Sequence, residues 1–272
     1  MNSILDIIEA NYKNLTNSEK KVADYFLERK YDVALQSLLE ISENTGVGEA
    51  TVVRFCHRLG CKSFLETKLM LDYEKAEKTR NQANGYIATI EDKVINSIKK
   101  SSEMINIEEL SQAVKWIDEC EPIMIVGVAM SGLSAQAMAT RFIRAGKLCH
   151  FLVDAHLQSS YASWADSHGL LIVFSLSGRT KDTIETMKLA KQNGVRTIAI
   201  TNFKSSPVAK LADIVLNTVS LEGPINNGNL AAMINQIFIA DLLITGYVLL
   251  DEERSLGVRK AVYKAISTKL LE

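Results

Sequence analysis

The run Ser175-Leu176-Ser177-Gly178-Arg179-Thr180 places three hydroxyls around one glycine and one arginine, just ahead of a segment with helical periodicity. Hydroxyls and free backbone N–H groups at a helix start can cradle an oxyanion, because the positive end of the helix dipole faces the ligand. Arg179 can add charge. The plainer reading is ordinary helix capping by serine or threonine, and the run by itself admits both. A second loop, Gly127-Val-Ala-Met-Ser-Gly132, follows an apolar run and offers Ser131 in the same way. Gly127 and Gly132 meet two of the three glycines of a dinucleotide fingerprint, and Asp154 stands at a fitting distance. Ala129 occupies the middle position, where backbone must approach a pyrophosphate, so the match is weak. No GxxxxGK[ST] run occurs, which excludes a P-loop.

A different chemistry is offered by Ser37 to Leu59, SLLEISENTGVGEATVVRFCHRL. An apolar-faced helix ends at Asn44, a short turn contains Gly46 and Gly48, and a second helix begins at Glu49. Val47, Val52, Val53 and Leu59 can lock the pair as a helix-turn-helix. Thr51, Arg54, His57 and Arg58 then share the other face, where a recognition helix reads base edges and touches phosphates. From Thr51 to Arg80 there are seven Lys/Arg against four Asp/Glu, a local basic surplus. Glu49 suits the helix dipole but repels a phosphate. Two helices joined by a glycine turn also occur in all-α domains without DNA partners, and periodicity leaves that alternative standing.

These residues need elements to hold them. No proline precedes Pro122, and the first 120 residues are poor in glycine, which suits an all-helical segment. Asn17 or Ser18 can cap a helix running to about Arg29, Ser37 can cap the next, and Gly60 stops the third. Further helical segments are expected around 64–79 and 87–119. After Pro122 short continuous apolar runs appear: IMIVGV (123–128), LCHFLV (148–153), LLIVFS (170–175), RTIAIT (196–201) and DIVL (213–216). Helical segments at 132–145, 156–166 and 180–193 separate them, and two long helices, about 229–250 and 255–271, close the chain. Continuous apolar strands alternating with helices predict a buried parallel sheet built from βαβ units. The fold class expected is therefore α/β: an all-α helix-turn-helix domain over 1–80, a helical connector over 81–119, and a five-stranded α/β domain over 120–272.

The 272 residues, 47% hydrophobic and 23% charged, can bury such cores, which excludes a disordered chain. A net charge of −1 supplies no global basic field, so any DNA or phosphate contact must be local. The apolar stretch Ala231 to Leu250 is interrupted by Asn235, Gln236, Asp241 and Thr245 and reads as a buried helix, not a membrane span. The start of the chain lacks a signal-peptide pattern. Cys56, Cys61, Cys120 and Cys149 show no paired spacing, so no metal, no cofactor and no disulfide framework is expected, and a cytoplasmic location fits.

Taken together, the residues resemble the RpiR family of bacterial transcriptional regulators. The likeness runs through LTNSEKKVADYFLE (15–28), GVGEATVVRFCHRLGCKSF (46–64), VGVAMSGLSA (126–135), FSLSGRTKDTIE (174–185) and AITNFKSSPVAKLAD (199–213). That family joins a helix-turn-helix domain to a SIS (sugar isomerase) domain, a flavodoxin-like three-layer sandwich that binds phosphorylated sugars. The resemblance implies that Ser131, Ser175, Ser177 and Thr180, with Gly178 between them, hold a sugar phosphate. It places Thr51 and Arg54 on the DNA-reading helix, with His57 and Arg58 beside them. His156 is site-proximal by the same likeness, and Glu222 follows the last strand. The implied function is ligand-responsive control of carbohydrate-metabolism genes, by a homodimer or dimer of dimers on a near-palindromic operator, with no membrane partner. Gly48 stands where family members often carry a capping serine, Ala129 replaces a common glycine, and LEGPINNGN (221–229) departs from the pattern. The alternative is a sugar-phosphate isomerase with an accessory helical domain, for which Glu222 is the candidate base and His156 or His168 its helper.

Overall fold

The computed structural model describes residues 3–80, 86–219 and 230–267. The chain forms two compact units, one running to Lys93 and the other starting at Val94.

The N-terminal unit contains α1 (Ile4–Asn11), α2 (Asn17–Arg29), α3 (Leu38–Thr45), α4 (Glu49–Arg58) and α5 (Phe64–Arg80), with short 3-10 turns after α1 and α2. Two capping boxes set its geometry. Thr16 caps α2 and Ser37 caps α3, each reciprocated by a glutamate three residues on, Glu19 and Glu40. The α2 cap thus lies one residue before the expected Asn17, because Thr16-x-x-Glu19 satisfies two backbone donors where Asn17 would satisfy one. Ile4, Ile8, Val22, Phe26, Ile41, Val52, Phe55 and Leu71 form the core. Phe26 and Phe55 meet edge to face with centroids 5.4 Å apart, which ties α2 to α4. Helix α1 was not expected from the sequence. Its own cap is Ser3, whose hydroxyl accepts from the Leu5 N–H.

The expected helix over 87–119 is two helices, α6 (Tyr86–Glu103) and α7 (Ile107–Glu119). The break is Asn106, whose side chain accepts from the N–H groups of Glu108 and Glu109 and starts α7 afresh. Helix α7, within the stretch read as a connector, buries Ala113, Val114 and Ile117 in the core of the C-terminal unit.

That unit is built on a sheet of five parallel strands, β1 (Ile123–Gly127), β2 (Cys149–Leu152), β3 (Leu170–Phe174), β4 (Arg196–Thr201) and β5 (Ile214–Asn217), in the order β2-β1-β3-β4-β5. Five helices follow or separate the strands: α8 (Met130–Arg144), α9 (Ala155–Trp164), α10 (Lys181–Gln192), α11 (Pro207–Leu211) and α12 (Leu230–Leu250). A further helix, α13 (Glu252–Ser267), ends the described chain. Alternate strand residues face opposite ways. Ile123, Ile125, Ile172, Phe174, Ile198 and Ile200 pack with α7, α8 and α12. Met124, Val126, Leu171, Val173 and Ala199 pack with α9, α10 and α11. Both faces are covered, which is why the strands read as unbroken apolar runs.

Helix α12 is long and apolar enough to cross a membrane by composition. It buries Ala231, Ala232, Asn235, Gln236, Ile239, Ala240, Leu243, Ile244 and Tyr247 along one stripe, and it packs on α7 and α8. It is a core helix of this unit, as the interrupted apolar run predicts.

Candidate functional site

Helix α3 stops because Gly46 takes a left-handed conformation, φ +67°, and accepts the helix's reversal without strain. The turn is tightened by the Ser42 hydroxyl, which donates to the Val47 carbonyl at 2.6 Å. Helix α4 then begins after Gly48, its N-cap, which has no side chain to cap it. Val52, Phe55 and Cys56 face the core.

The four residues on its other face divide into two pairs. Thr51 and Arg54 belong together, with Arg54 Nη2 donating to Thr51 Oγ1 at 3.1 Å. Arg54 is exposed, so the guanidinium remains available to a base edge. Arg58 is engaged within the domain, its Nη1 lying 2.6 Å from Glu19 Oε2 on α2. Burial pushes the Glu19 carboxyl up, but bonds from Thr16 and Arg58 outweigh it and hold the group below the usual carboxylate range. His57 Nδ1 donates to the Cys61 carbonyl at 3.0 Å, since a carbonyl can only accept. Lys68, on α5, donates to the Gln36 carbonyl at 2.7 Å.

In the C-terminal unit, the strand order reverses direction between β1 and β3, the switch point at which open parallel sheets bind ligands beyond their carboxyl ends. The two loops singled out in the sequence leave these adjacent strands, with Gly127 and Phe174 in register. Each opens into a helix whose N-cap makes no side-chain bond: Ala129 before α8 and Thr180 before α10. Thr180 therefore does not perform the capping that the plainer reading required. Two helix starts at one crevice leave backbone donors there for an anion.

Ser175 is 3% exposed, and its hydroxyl finds no partner among the described residues. An unpaired buried hydroxyl is costly. Gly178 adopts φ +62°, and a Cβ there would lie 2.1 Å from Ser206 Oγ, so no side chain fits. The loop is braced from behind. The Gly178 carbonyl accepts from the Val208 N–H at 3.1 Å, and the Leu176 carbonyl accepts from the Asn202 N–H at 3.1 Å. Ser177 Oγ accepts from the Arg179 N–H at 3.2 Å. In the other loop Ala129 sits at φ +53°, a conformation that favours glycine. Ser131 is buried, and its Oγ accepts from Gln236 Nε2 at 3.1 Å.

The structure thus brings Ser131, Ser175, Ser177, Gly178 and Thr180 to one end of two neighbouring strands. His156 is exposed on α9, after the outer strand β2, and among the described residues its side chain makes no hydrogen bond or ion pair with these loops. His168 precedes β3, at the opposite end of the sheet, and pairs with Asp166. Glu222 lies outside the described residues. The residue that sequence reasoning missed is Gln236. Its signal was present, since a buried polar pair, Asn235-Gln236, interrupts an apolar helix and needs partners. All four cysteines are buried, and burial pushes the thiols of Cys56 and Cys149 up to about 11 and about 12.

The rpiR-family helix-turn-helix domain matches residues 2–78, and the SIS domain matches residues 117–246. The chain is 34% identical to an HTH-type transcriptional regulator of Haemophilus influenzae, over 89% of this chain and 88% of that protein. It is 25% identical to the HTH-type transcriptional regulator RpiR of Escherichia coli K12, over 89% of this chain and 85% of that protein. Among solved structures it is similar to the Vibrio vulnificus NanR protein complexed with ManNAc-6P, with a TM-score of 0.77, 25% identity and coverage of 99% of this chain and 100% of that one. With a helix-turn-helix in one unit and a switch-point crevice in the other, the chain belongs to the rpiR family of helix-turn-helix transcriptional regulators.

Proposed function

We propose that the C-terminal domain senses a phosphorylated sugar or amino sugar, and that its occupancy sets how firmly the N-terminal domain holds its operator. The protein acts in the cytoplasm as a homodimer or dimer of dimers on a near-palindromic site, controlling carbohydrate-metabolism genes. Residues 1–80 read DNA, with Thr51 and Arg54 at the bases. Residues 120–272 hold the effector, and α7 from the intervening stretch packs with them.

The observation that carries this reading is the buried Ser175 hydroxyl, unpartnered among the described residues, beside two helix starts without side-chain caps. A phosphate supplies the acceptor oxygens that such donors need. Ser131, Ser177 and Thr180 surround it, and Gly178 lets backbone approach closely. The similar NanR protein, complexed with ManNAc-6P, supports a sugar phosphate in particular. An effector shifts DNA binding only through its differential affinity for two arrangements of the regulator.

The test is a thermal-shift and calorimetry panel of hexose 6-phosphates and N-acetylhexosamine 6-phosphates, including ManNAc-6P, with the free sugars and inorganic phosphate as controls. A sugar phosphate at about 100 times its Kd stabilises the folded state by about 2.7 kcal/mol. Absence of binding across the phosphorylated panel would contradict the reading.

A further inference from the structure

Helix α13 is weakly rooted in its own domain. Across Glu252–Ser267 only Ser255 is buried. Its anchors lie on one side. Ser255 Oγ donates to the Val248 carbonyl at 3.1 Å, and Val258 sits where a Cβ on Gly146 would come within 2.8 Å. Between α13, α8 and α12 an open groove of about 590 Å³ remains, lined by Ile244, Val248, Val262, Tyr263 and Ile266 with Arg144 and Arg259. On the helix itself Tyr263 is 74% exposed and Leu256 is 49% exposed. Apolar side chains spaced seven apart lie on one helix face, and such a patch beside an unfilled groove marks an association surface.

Charge indicates what covers it. The helix starts with Glu252 and Glu253, preceded by Asp251, and carries Arg259, Lys260 and Lys264 in its second half. The exception, Arg254, is engaged within its own subunit: it pairs with Asp118 at 3.0 Å and lies over the Tyr247 ring at 4.8 Å. Asp251 is likewise engaged with Arg254. Glu252, Glu253, Arg144, Lys260 and Lys264 form no ion pair among the described residues, and Arg259 donates only to the Ser255 carbonyl. A helix that is acidic at one end and basic at the other is self-complementary when two copies run antiparallel. That arrangement is also the one a twofold axis perpendicular to the helices produces, and it opposes the helix dipoles favourably.

We infer that α13 is the subunit-pairing element. Two copies of this chain set their α13 helices antiparallel, each offering Leu256 and Tyr263 to the other's groove and each placing Glu252 and Glu253 against the partner's Arg259, Lys260 and Lys264. This rests on the reading that the regulator works as a dimer, and it adds the surface on which the copies meet.

The test is sedimentation equilibrium of the full chain and three charge variants. Glu252→Lys with Glu253→Lys, and separately Arg259→Glu with Lys260→Glu, place like charges across the axis and raise the dimer dissociation constant by roughly tenfold or more. The combined fourfold variant restores opposite charges and brings the constant back to near the wild-type value. Tyr263→Glu, an exposed position, splits the dimer independently of the charge pattern. Half-reversals that remain as dimeric as wild type, a fourfold variant that stays dissociated, or a monomeric wild type would each overturn the assignment. Gel shifts on a duplex selected from a random pool, run in parallel, separate this from the regulator reading. If wild type binds the duplex and the half-reversals stay dimeric, only the α13 assignment falls. If wild type selects no duplex, the regulator reading fails whatever the oligomeric state.

Discussion

Gln236 Nε2 donates to Ser131 Oγ across 3.1 Å, joining the second turn of α12 to the first turn of α8. Both side chains are buried. With one lone pair accepting from Gln236, the Ser131 hydroxyl still has its proton to give, which fits a donor to an anion. Gln236→Leu removes that donor. It is expected to cost about 1–3 kcal/mol of stability in urea denaturation, and to weaken effector binding by roughly tenfold through the misdirected hydroxyl. Unchanged effector affinity with lowered stability would make Gln236 a packing residue only.

Arg54 and Arg58 sit one turn apart on α4 and are expected to behave differently. Arg54→Ala should weaken specific operator binding by about 1–3 kcal/mol, as loss of a base contact does. Arg58→Ala should act mainly on the domain itself, because Arg58 is paired to Glu19. A double-mutant cycle of Arg58→Ala with Glu19→Gln, read by thermal unfolding, should give a coupling of up to about 1 kcal/mol, since the arginine is half exposed. Equal losses of operator affinity for both arginine variants would contradict this division.

The sheet was legible because both of its faces are buried, which leaves apolar runs with no alternation to misread. The loop at 175–180 was legible because its hydroxyl spacing is local. What escaped was long-range or subtle. Arg58 and Glu19 lie 39 positions apart, and Gln236 and Ser131 lie 105 apart, so neither pairing leaves a local pattern. The break before α7 is made by one capping asparagine, Asn106, with no glycine or proline to mark it. The α2 cap was legible in principle, since Thr16-x-x-Glu19 is a capping-box signature.

Gly178→Ala is expected to disable the ligand loop. The residue holds φ +62°, and the added Cβ would press on Ser206 Oγ at 2.1 Å. Destabilisation of more than about 1 kcal/mol should accompany loss of the effector's thermal shift. Gly48→Ala, where nothing lies within 4 Å, is the control. It should leave the effector response intact.

Two carboxylates should govern acid stability. Burial pushes Asp213 up, but Lys191 and the Thr197 hydroxyl and N–H outweigh it, so its pKa lies below the ordinary value. Glu19 is lowered as well. With depressed folded values, the unfolded chain takes up protons first as the pH falls. The stabilisation is therefore complete above about pH 4 and drains away below it. Asp213→Asn and Glu19→Gln should each flatten the fall of stability with decreasing pH in urea titrations. An unchanged slope in both variants would refute the assignment.

The most direct test of the central claim, that the hydroxyl loop of the C-terminal domain binds the effector, is calorimetry of the sugar phosphate identified by the panel against Ser177→Ala/Thr180→Ala. Charge-assisted bonds of about 1.5–3 kcal/mol each predict that the double variant loses affinity by roughly two orders of magnitude or more. It should keep its fold and its effector-free operator binding, and lose its response to that sugar phosphate. A double variant that binds the same ligand with wild-type affinity, and still responds to it on DNA, would contradict the account.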